Sequence, residues 1–513
     1  MTRWPSRAQS GAPECDVCLV VEGCYPYVPG GVSAWIDWLI RSQPTTTFSI
    51  VSLWPRPVAT PARYALPDNV SALHHLYLQD FGRRPGRSHL ASGSVSLLAD
   101  TLGEMVTQGG ASALASVARR LAGLGPRRDL EAIFNSPAAW QMVERMYARD
   151  MPYSSFLHYF WAWRALLGGL FATLETALPR ARIYHTISTG YAGLLAARAR
   201  LETGRPMILT EHGIYTNERR IELLMADWIA DNVDKGHALA DPRADLRDLW
   251  VRAFEAYART CYEAADEVVT LFEENQRAER RLGADPAKLR IIANGIDVAR
   301  FAALPRASRQ QRPTIALIGR VVPIKDVKTF IAAADLLRRE VPDLRALVMG
   351  ATDEDPVYAG ECRDLVRDLG LDGTVELTGN VDIRQRLGEV HVAVLTSLSE
   401  SQPLVLLEAG AAGVPFVATN VGLCREIVYG RADETPHLGA GGVITGLVDP
   451  VGVAEAIGGL LGDETRRQAA GRALEQRVRT YYSSERAASA YSDLYARWAA
   501  AEPAPRRFPV AAE

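Results

Sequence analysis

Residues 314–326 read TIALIGRVVPIKD, so that a strand-like run of β-branched and apolar residues ends in a glycine and two cations. Similar short β-branched runs alternate with amphipathic stretches of helical length, first in the N-terminal half and again from residue 314. This alternation predicts repeated βα units, and therefore an α/β fold with two mostly parallel sheets.

The predicted strands fall into two groups. In the first half they include residues 17–21, 48–53, 182–185, 207–210, 267–271 and 289–292. In the second half they include residues 314–318, 345–349, 375–377, 392–395, 416–418 and 442–444. Two helical patterns, near residues 465–481 and 484–500, follow the last strand.

The pattern also predicts domain limits. Residues 304–313 are rich in Pro, Arg and Gln, which indicates a linker between domains at 15–303 and 314–482. Residues from about 81 to 178 do not follow the βα alternation and carry helical patterns rich in Trp and Tyr, so we predict a largely helical insertion. We interpret its aromatic stripe as core rather than as an acceptor or partner surface. The ends, 1–14 and 501–513, are expected to be disordered tails.

Composition excludes several classes of protein. About half of the residues (48%) are hydrophobic and 23% are charged, which is typical of globular domains with sizeable cores. The net charge of -3 provides no basic field for nonspecific nucleic-acid binding, so no nucleic-acid partner is expected. The longest apolar run, residues 404–418, contains Glu408, and we therefore predict no transmembrane helix. The polar N-terminus and the six cysteines favour a cytoplasmic location.

Cys15 and Cys18 have a C-x-x-C spacing, but Cys18 lies inside the first predicted strand and no second pair is nearby. Because a structural zinc site needs four ligands, we favour strand packing over metal or redox chemistry.

Residues 22–33, EGCYPYVPGGVS, join the first predicted strand to an amphipathic segment. Gly30 and Gly31 would let the backbone approach a ligand, and the N–H groups of the following helix would face an anion. The spacing is not that of a dinucleotide-binding G-x-G-x-x-G loop, and a plain turn explains the two glycines equally well.

Arg320 and Lys325 follow a strand of the second half, at the carboxyl end where doubly wound sheets bind ligands. Arg320 could bind two phosphate oxygens and Lys325 could add a point charge, which together would offset the charge of a leaving diphosphate. Two solvated cations on a surface loop are the alternative.

Residues 396–410, TSLSESQPLVLLEAG, place one carboxylate on each side of a predicted helix start. Ser401 suits an N-cap and Pro403 suits the first turn, so Glu400 lies in the loop and Glu408 in the helix. A carboxylate in an apolar helix needs hydrogen-bond donors, and ribose hydroxyls would provide them. The alternatives are a capped or salt-bridged Glu408 and a solvent-facing Glu400.

His185 and His212 end two successive strands of the first half. Their shared position at the carboxyl edge of one sheet favours a substrate contact as much as a structural role.

The order Gly30-Gly31, His212, Gly319-Arg320 with Lys325, and Glu400-x7-Glu408 resembles the retaining, GT-B-fold glycosyltransferase family 4. A narrower resemblance, to the PelF-type glucosyltransferases of Pel exopolysaccharide synthesis, spans roughly residues 17–491. It rests on residues 22–33, 210–215, 319–330, 351–356 and 399–409. Many members of the broader family have glycine and phenylalanine after the first glutamate, whereas this chain has Ser401-Gln402-Pro403, so loop contacts do not transfer from distant relatives.

The resemblance implies two facing Rossmann-like domains, with a helix at 483–500 crossing back to the first domain. A UDP-sugar, UDP-glucose above all, would bind in the cleft, held mainly by the second domain and without a metal or other cofactor. Arg320 and Lys325 would neutralise the diphosphate, Glu408 would hold the ribose and Glu400 would lie by the sugar. The implied catalytic residues are His212, Glu400, Arg320 and Lys325, and the implied donor-binding residues are Gly30, Gly31, Arg320, Lys325, Leu404 and Glu408.

The implied function is a metal-independent, retaining hexosyltransferase that adds glucose to a growing exopolysaccharide. Its implied partners are the polysaccharide acceptor and a membrane-embedded synthesis complex at the inner face of the cell membrane. A small acceptor is one alternative, and a catalytically silent GT-B scaffold in an export assembly is another. The presence of Arg320, Lys325, Glu400 and Glu408 weighs against the scaffold.

Overall fold

The computed structural model describes residues 14–79, 92–123, 136–224 and 245–505. Within these ranges, residues 92–96 are described by their backbone alone. The chain divides into two compact units. The first unit comprises Met1–Ile291 with Tyr491–Glu513, and the second unit comprises Ile292–Ala490.

The first unit contains a seven-stranded, fully parallel sheet in the order β3-β2-β1-β4-β5-β6-β7. Its strands are β1 Cys15–Glu22, β2 Phe48–Trp54, β3 Val70–Tyr77, β4 Ala181–Thr186, β5 Met207–Glu211, β6 Glu267–Thr270 and β7 Leu289–Ile291. All six strands predicted for this half are present. The edge strand β3 was missed, because Ser and two His interrupt the apolar residues of its sequence VSALHHLY and the strand is only partly buried.

Nine helices accompany this sheet within the described residues. They are α1 Gly31–Arg41, α2 Ser92–Thr107, α3 Ala111–Ala122, α4 Pro137–Asp150, α5 Phe156–Glu175, α6 Tyr191–Thr203, α7 Tyr215–Leu224, α8 Leu246–Ala264 and α9 Glu273–Arg281. Helices α2 to α5 occupy the described part of the predicted insertion. In α5 the aromatic stripe divides, since Tyr159 and Trp163 are buried in the core whereas Trp161 is 59% exposed.

The second unit contains a six-stranded, fully parallel sheet in the order β10-β9-β8-β11-β12-β13. Its strands are β8 Thr314–Ile318, β9 Arg345–Met349, β10 Val375–Gly379, β11 Val392–Leu395, β12 Phe416–Thr419 and β13 Gly442–Thr445. Its helices are α10 Val298–Ala302, α11 Val327–Leu337, α12 Pro356–Asp368, α13 Leu404–Ala411, α14 Cys424–Tyr429, α15 Pro450–Gly462, α16 Glu464–Tyr481 and the first part of α17 Ser484–Ala499, up to Ala490.

The core strands of the second sheet match their prediction because they are buried on both faces. β8 and β11 carry Val, Ile, Leu and Ala with almost no exposed surface. Parallel strands covered by helices on both sides are expected to read as continuous apolar runs. Such runs can be recognised in the sequence without an alternating pattern.

The division between the units lies before the predicted linker. It follows Ile291, and residues 304–313 lie wholly inside the second unit. Composition suggested a linker, but this segment is held by contacts: His391 Nε2 lies 3.0 Å from the Ser308 carbonyl oxygen, and Arg312 donates to the Asp343 carbonyl oxygen at 2.8 Å. Val298 and Phe301 of α10, just before it, are buried as well.

Strand packing of Cys15 and Cys18 is confirmed. Cys18 is fully buried in β1, and the Cys15 thiol donates to the Ser49 hydroxyl at 3.1 Å. Across the described ranges, no three His, Cys, Asp or Glu side chains are grouped in a way that could hold a metal ion. None of the described helices combines the length and the apolar character that crossing a membrane requires.

Candidate active site

The loops that follow β8 and β11 meet at the carboxyl edge of the second sheet. The two strands are neighbours, paired in parallel from Val392 opposite Ile315. The Lys325 ammonium lies 2.5 Å from Glu400 Oε1, and the Ser397 hydroxyl donates to the same oxygen at 2.7 Å. The structure thus brings together two of the predicted site residues in an ion pair that retains only 22% and 14% side-chain exposure.

Local hydrogen bonds hold the lysine loop in place. The Thr396 hydroxyl contacts the carbonyl oxygens of Lys325 and Asp326 at 3.0 and 2.8 Å. The Leu398 N–H donates to the Ile324 carbonyl oxygen at 2.9 Å. Asp326 has a left-handed backbone (φ 45°) and caps α11 through its side chain. Lys325 therefore stands on a stiff turn, which lets it present a fixed charge.

Arg320 lies on the same loop and is more exposed. Its guanidinium pairs with Glu354, and 55% of its side chain is accessible to solvent. An ion pair of this exposure contributes little stability, because water screens both charges. Arg320 can consequently exchange Glu354 for another anion at small cost.

Glu408 lies on α13 and is half-buried. Burial raises the pKa of its carboxyl, and the positive charge of Arg300 partly opposes the shift. Among the described residues, no hydrogen-bond donor contacts this carboxylate. Its environment therefore suits a ligand with hydroxyl donors, such as a ribose.

Helix α13 begins at Leu404, between the two glutamates as predicted, but its N-cap is Pro403 and not Ser401. The prediction of Ser401 as the N-cap was wrong, because the helix begins further along the chain, at Leu404, with Pro403 in the N-cap position. The Ser401 carbonyl oxygen instead accepts the Leu423 N–H at 2.8 Å. No side chain caps α13, and Leu404, its first residue, is exposed. The first-turn N–H groups are thus oriented as in helices that bind anions.

In the first unit, Gly30 and Gly31 begin α1 and are both exposed. The helix has no side-chain cap and no acidic residue in its first turn. A Cβ atom added to either glycine would meet nothing within 4 Å. The space in front of this helix end is therefore open to a ligand.

His212 follows β5 and is half-buried beside Trp35, with ring centroids 4.4 Å apart in an edge-to-face arrangement. Desolvation lowers the pKa of its imidazole to about 4. The ring is therefore neutral at physiological pH.

His185 has a structural role. Its Nδ1 lies 2.7 Å from the Tyr495 hydroxyl and its Nε2 lies 2.9 Å from the Thr210 hydroxyl. The side chain is fully buried, and burial lowers the pKa to about 3. Both ring nitrogens are already engaged inside the first unit, so of the two alternatives for this histidine the structure favours packing.

Two buried carboxyls of the first unit were missed in the sequence. Glu211 ends β5, where the Tyr262 hydroxyl donates to it at 2.5 Å, and Glu279 lies on the highly charged helix α9. Burial raises the pKa of Glu211 to about 8, with a further contribution from Glu279, and burial raises the pKa of Glu279 to about 7. The sequence EENQRAERR is almost entirely polar and charged, and it gives no sign of a buried acid.

The buried pair predicts a pH dependence of stability. Both folded-state pKa values lie above the ordinary value of 4.5, so unfolding releases protons between about pH 4.5 and 8 and stability falls as the pH rises. Glu279→Gln removes one of these titrations. We expect it to be more stable than the wild type at pH 8 by about 3 kcal/mol, with little difference near pH 4.5.

Urea unfolding at several pH values measures this effect. Glu273→Gln, at an exposed position of the same helix, is the matched control. A wild type and a Glu279→Gln variant whose unfolding free energies stay parallel from pH 5 to 8 would contradict the prediction.

Comparison with known proteins gives the family. Residues 15–287 match the family described as a domain of unknown function, DUF3492, and residues 312–463 match the family described as glycosyl transferases group 1. The chain belongs to the DUF3492 family. In this DUF3492 protein, the glycosyl transferases group 1 match covers Arg320, Lys325, Glu400 and Glu408.

The curated relatives of this DUF3492 protein include sugar-transferring enzymes. A D-inositol 3-phosphate glycosyltransferase of Kineococcus radiotolerans is 32% identical over 243 residues, which cover 43% of this chain and 54% of that protein. A glycogen synthase of Mycobacterium tuberculosis is 30% identical over 225 residues, covering 43% and 51%. The chain spans about half the length of these relatives.

Solved structures share the fold. A sucrose-phosphate synthase of Thermosynechococcus elongatus superposes with a TM-score of 0.57 at 16% identity, covering 94% of this chain and 98% of that one. HepE of Anabaena, in complex with UDP, gives 0.57 at 14% identity, covering 94% and 100%. The prediction of a GT-B architecture with two Rossmann-like, parallel-sheet domains is thereby confirmed.

Proposed function

We propose that this DUF3492 protein is a retaining glycosyltransferase that transfers a hexose from a UDP-sugar, and that the hexose is glucose. The observation that carries the proposal is the Lys325–Glu400 pair at the carboxyl edge of the second sheet. It lies within the part of the chain that matches the glycosyl transferases group 1 family.

The donor would be held by the second unit. Lys325 and Arg320 would exchange their carboxylate partners for diphosphate oxygens, and Glu408 would accept hydrogen bonds from the ribose. The N–H groups at Leu404 would face the diphosphate. HepE of Anabaena, which shares the fold, has been solved with UDP and with UDP-glucose, which supports a donor of this chemistry.

The chemical step would depend on the stabilisation of the leaving diphosphate. As the bond between the sugar C1 and the phosphate oxygen breaks, negative charge develops on that oxygen, and fixed cations stabilise it without reorganisation. The leaving phosphate would then take the proton of the acceptor hydroxyl, which attacks C1 on the same face, so that the anomeric configuration is retained. In this scheme Arg320 and Lys325 provide the neutralising charge without a metal.

The first unit would contribute Gly30 and Gly31 at the diphosphate edge and His212 near the reacting centre. Because the imidazole of His212 is neutral above about pH 5, it would donate or accept hydrogen bonds without a formal charge. The resemblance to PelF-type enzymes supports an exopolysaccharide as acceptor and a membrane-embedded synthesis complex as partner, at the cytoplasmic face of the membrane.

Calorimetric titration tests the donor assignment. We expect UDP and UDP-glucose to bind and GDP to give no response. NMR of the product formed from UDP-glucose and an oligosaccharide acceptor then tests retention, since the new linkage should be axial as in the donor. If none of the nucleotides binds in the titration, the result would instead favour a scaffold without catalytic activity.

A further inference from the structure

Gln402 lies two residues after Glu400 and is 7% exposed. Its side-chain oxygen accepts the Asn294 N–H at 2.8 Å, and its side-chain nitrogen donates to the Asn294 carbonyl oxygen at 3.0 Å. Both polar atoms of the amide are satisfied by the backbone of a single residue. Such a two-point contact defines the orientation of the amide, since a flipped amide would oppose donor to donor.

Asn294 belongs to the segment by which the chain enters the second unit, just after the division at Ile291. This segment is paired with the residues that precede the return to the first unit. The Ile296 N–H donates to the Tyr482 carbonyl oxygen at 3.0 Å, and the Ser484 N–H donates to the Ile296 carbonyl oxygen at 2.8 Å. A Cβ atom on Gly295 would lie 2.2 Å from the Ser483 carbonyl oxygen, so this close approach requires glycine.

The other side of the Gln402 loop is held just as closely. Gly422, at φ 48°, packs against the carbonyl oxygens of Glu400 and Ser401, and an added Cβ atom would lie 2.3 and 2.2 Å from them. Glu400 itself is bound to Lys325 and Ser397. A shift of Glu400 is therefore transmitted to Gln402, because the loop has little freedom to absorb it.

We propose that Gln402 is a positioning residue that couples occupancy of the donor site to the segment connecting the two units. This inference rests on the proposed function, since it takes the Lys325–Glu400 pair as the place where the diphosphate arrives. When the donor diphosphate binds Lys325, Glu400 loses its ion pair with that lysine, and the loop that carries Glu400 and Gln402 changes its conformation. The Gln402 amide passes that change to Asn294 and to the paired segments at 295–296 and 482–484.

Thermodynamic reciprocity makes the inference measurable. If UDP strengthens the contact between Gln402 and Asn294, the contact must strengthen UDP binding by the same factor. We expect UDP to slow hydrogen exchange of the 292–297 segment in the full chain by about fivefold. Gln402→Ala should abolish this UDP-dependent protection and weaken UDP binding by the same factor of about five.

Two further variants sharpen the test. Gln402→Glu keeps the acceptor for the Asn294 N–H but loses the donor to its carbonyl oxygen, and should retain part of the UDP-dependent protection. Gln468→Ala is the matched control, because Gln468 is exposed on α16 and bonds only to Glu464, one turn away, among the described residues. It should behave as the wild type in exchange and in calorimetry.

The outcomes separate the two claims. If the wild type binds no UDP, the proposed function fails and this inference fails with it. If UDP binds but Gln402→Ala retains the wild-type protection of 292–297, the proposed function stands and the inference is overturned. A purely structural role would speed exchange equally with and without UDP and leave UDP affinity unchanged, which would also overturn it.

Discussion

Replacing Arg477 with leucine should lower the free energy of unfolding by about 3–5 kcal/mol. Arg477 and Glu434 form an ion pair at 2.6 Å whose two side chains are each 1% exposed. The guanidinium also donates to the carbonyl oxygens of Ile427, Val428 and Gly439. The variant would leave the buried Glu434 carboxylate without its countercharge and would remove a donor from the carbonyl oxygens of Ile427 and Gly439, which is why the expected cost is large.

Urea unfolding of the full chain, followed by circular dichroism, measures this loss. Arg479→Leu is the matched control, because Arg479 lies on the same helix, is 55% exposed and pairs with Glu475. Its effect should be about 0–1 kcal/mol. Replacing Arg477 and Glu434 together by leucine should recover part of the loss, since no unpaired charge then remains. Equal stability of Arg477→Leu and Arg479→Leu would refute the prediction.

Lys325→Ala should reduce kcat/KM for a UDP-sugar by about 10²–10³-fold, which is typical when one fixed group that stabilises developing charge is removed. The effect has two sources. The diphosphate loses a cation, and Glu400 becomes an unpaired carboxylate close to it, because the Lys325–Glu400 contact of 2.5 Å is gone. Lys325→Ala combined with Glu400→Gln should therefore bind UDP better than Lys325→Ala alone.

Steady-state kinetics and UDP calorimetry measure these effects. Lys328→Ala is the control, because Lys328 lies in the first turn of α11, just after the Lys325 loop, has 43% of its side chain exposed and pairs with Glu361 at 2.8 Å. It should leave kcat/KM within about twofold, as expected for a surface ion pair. Wild-type kinetics in Lys325→Ala would remove this residue from the diphosphate site.

Most of the sheet architecture could be predicted because parallel strands are buried on both faces and therefore read as unbroken apolar runs. Twelve predicted strands are present in the two sheets. Strand β3 was not predicted, because an edge strand does not need an unbroken apolar run. Its residues are exposed or only partly buried. The boundary between the units was predicted too late in the chain, because composition does not show that Ser308 and Arg312 form hydrogen bonds within the second unit.

The candidate site was predictable where a motif follows a strand. Arg320, Lys325 and Glu400 could be placed at one sheet edge from strand order alone, since the carboxyl ends of parallel strands lie together. Their ion-pair partners could not. The sequence also contained no signal that separates His185, which is engaged on both ring nitrogens, from His212 beside Trp35.

By itself, the sequence determined the α/β class, the two parallel sheets, the loops on which Lys325 and Glu400 lie and the helix that carries Glu408, because these depend on local periodicity and on short-range spacing. Only the tertiary structure decided which charged side chains form ion pairs, which carboxyls are buried and which backbone groups the Gln402 amide binds. Lys325 meets Glu400 and Gln402 meets Asn294 across long sequence separations. The energy of such contacts depends on burial and geometry, which arise only once the chain has folded.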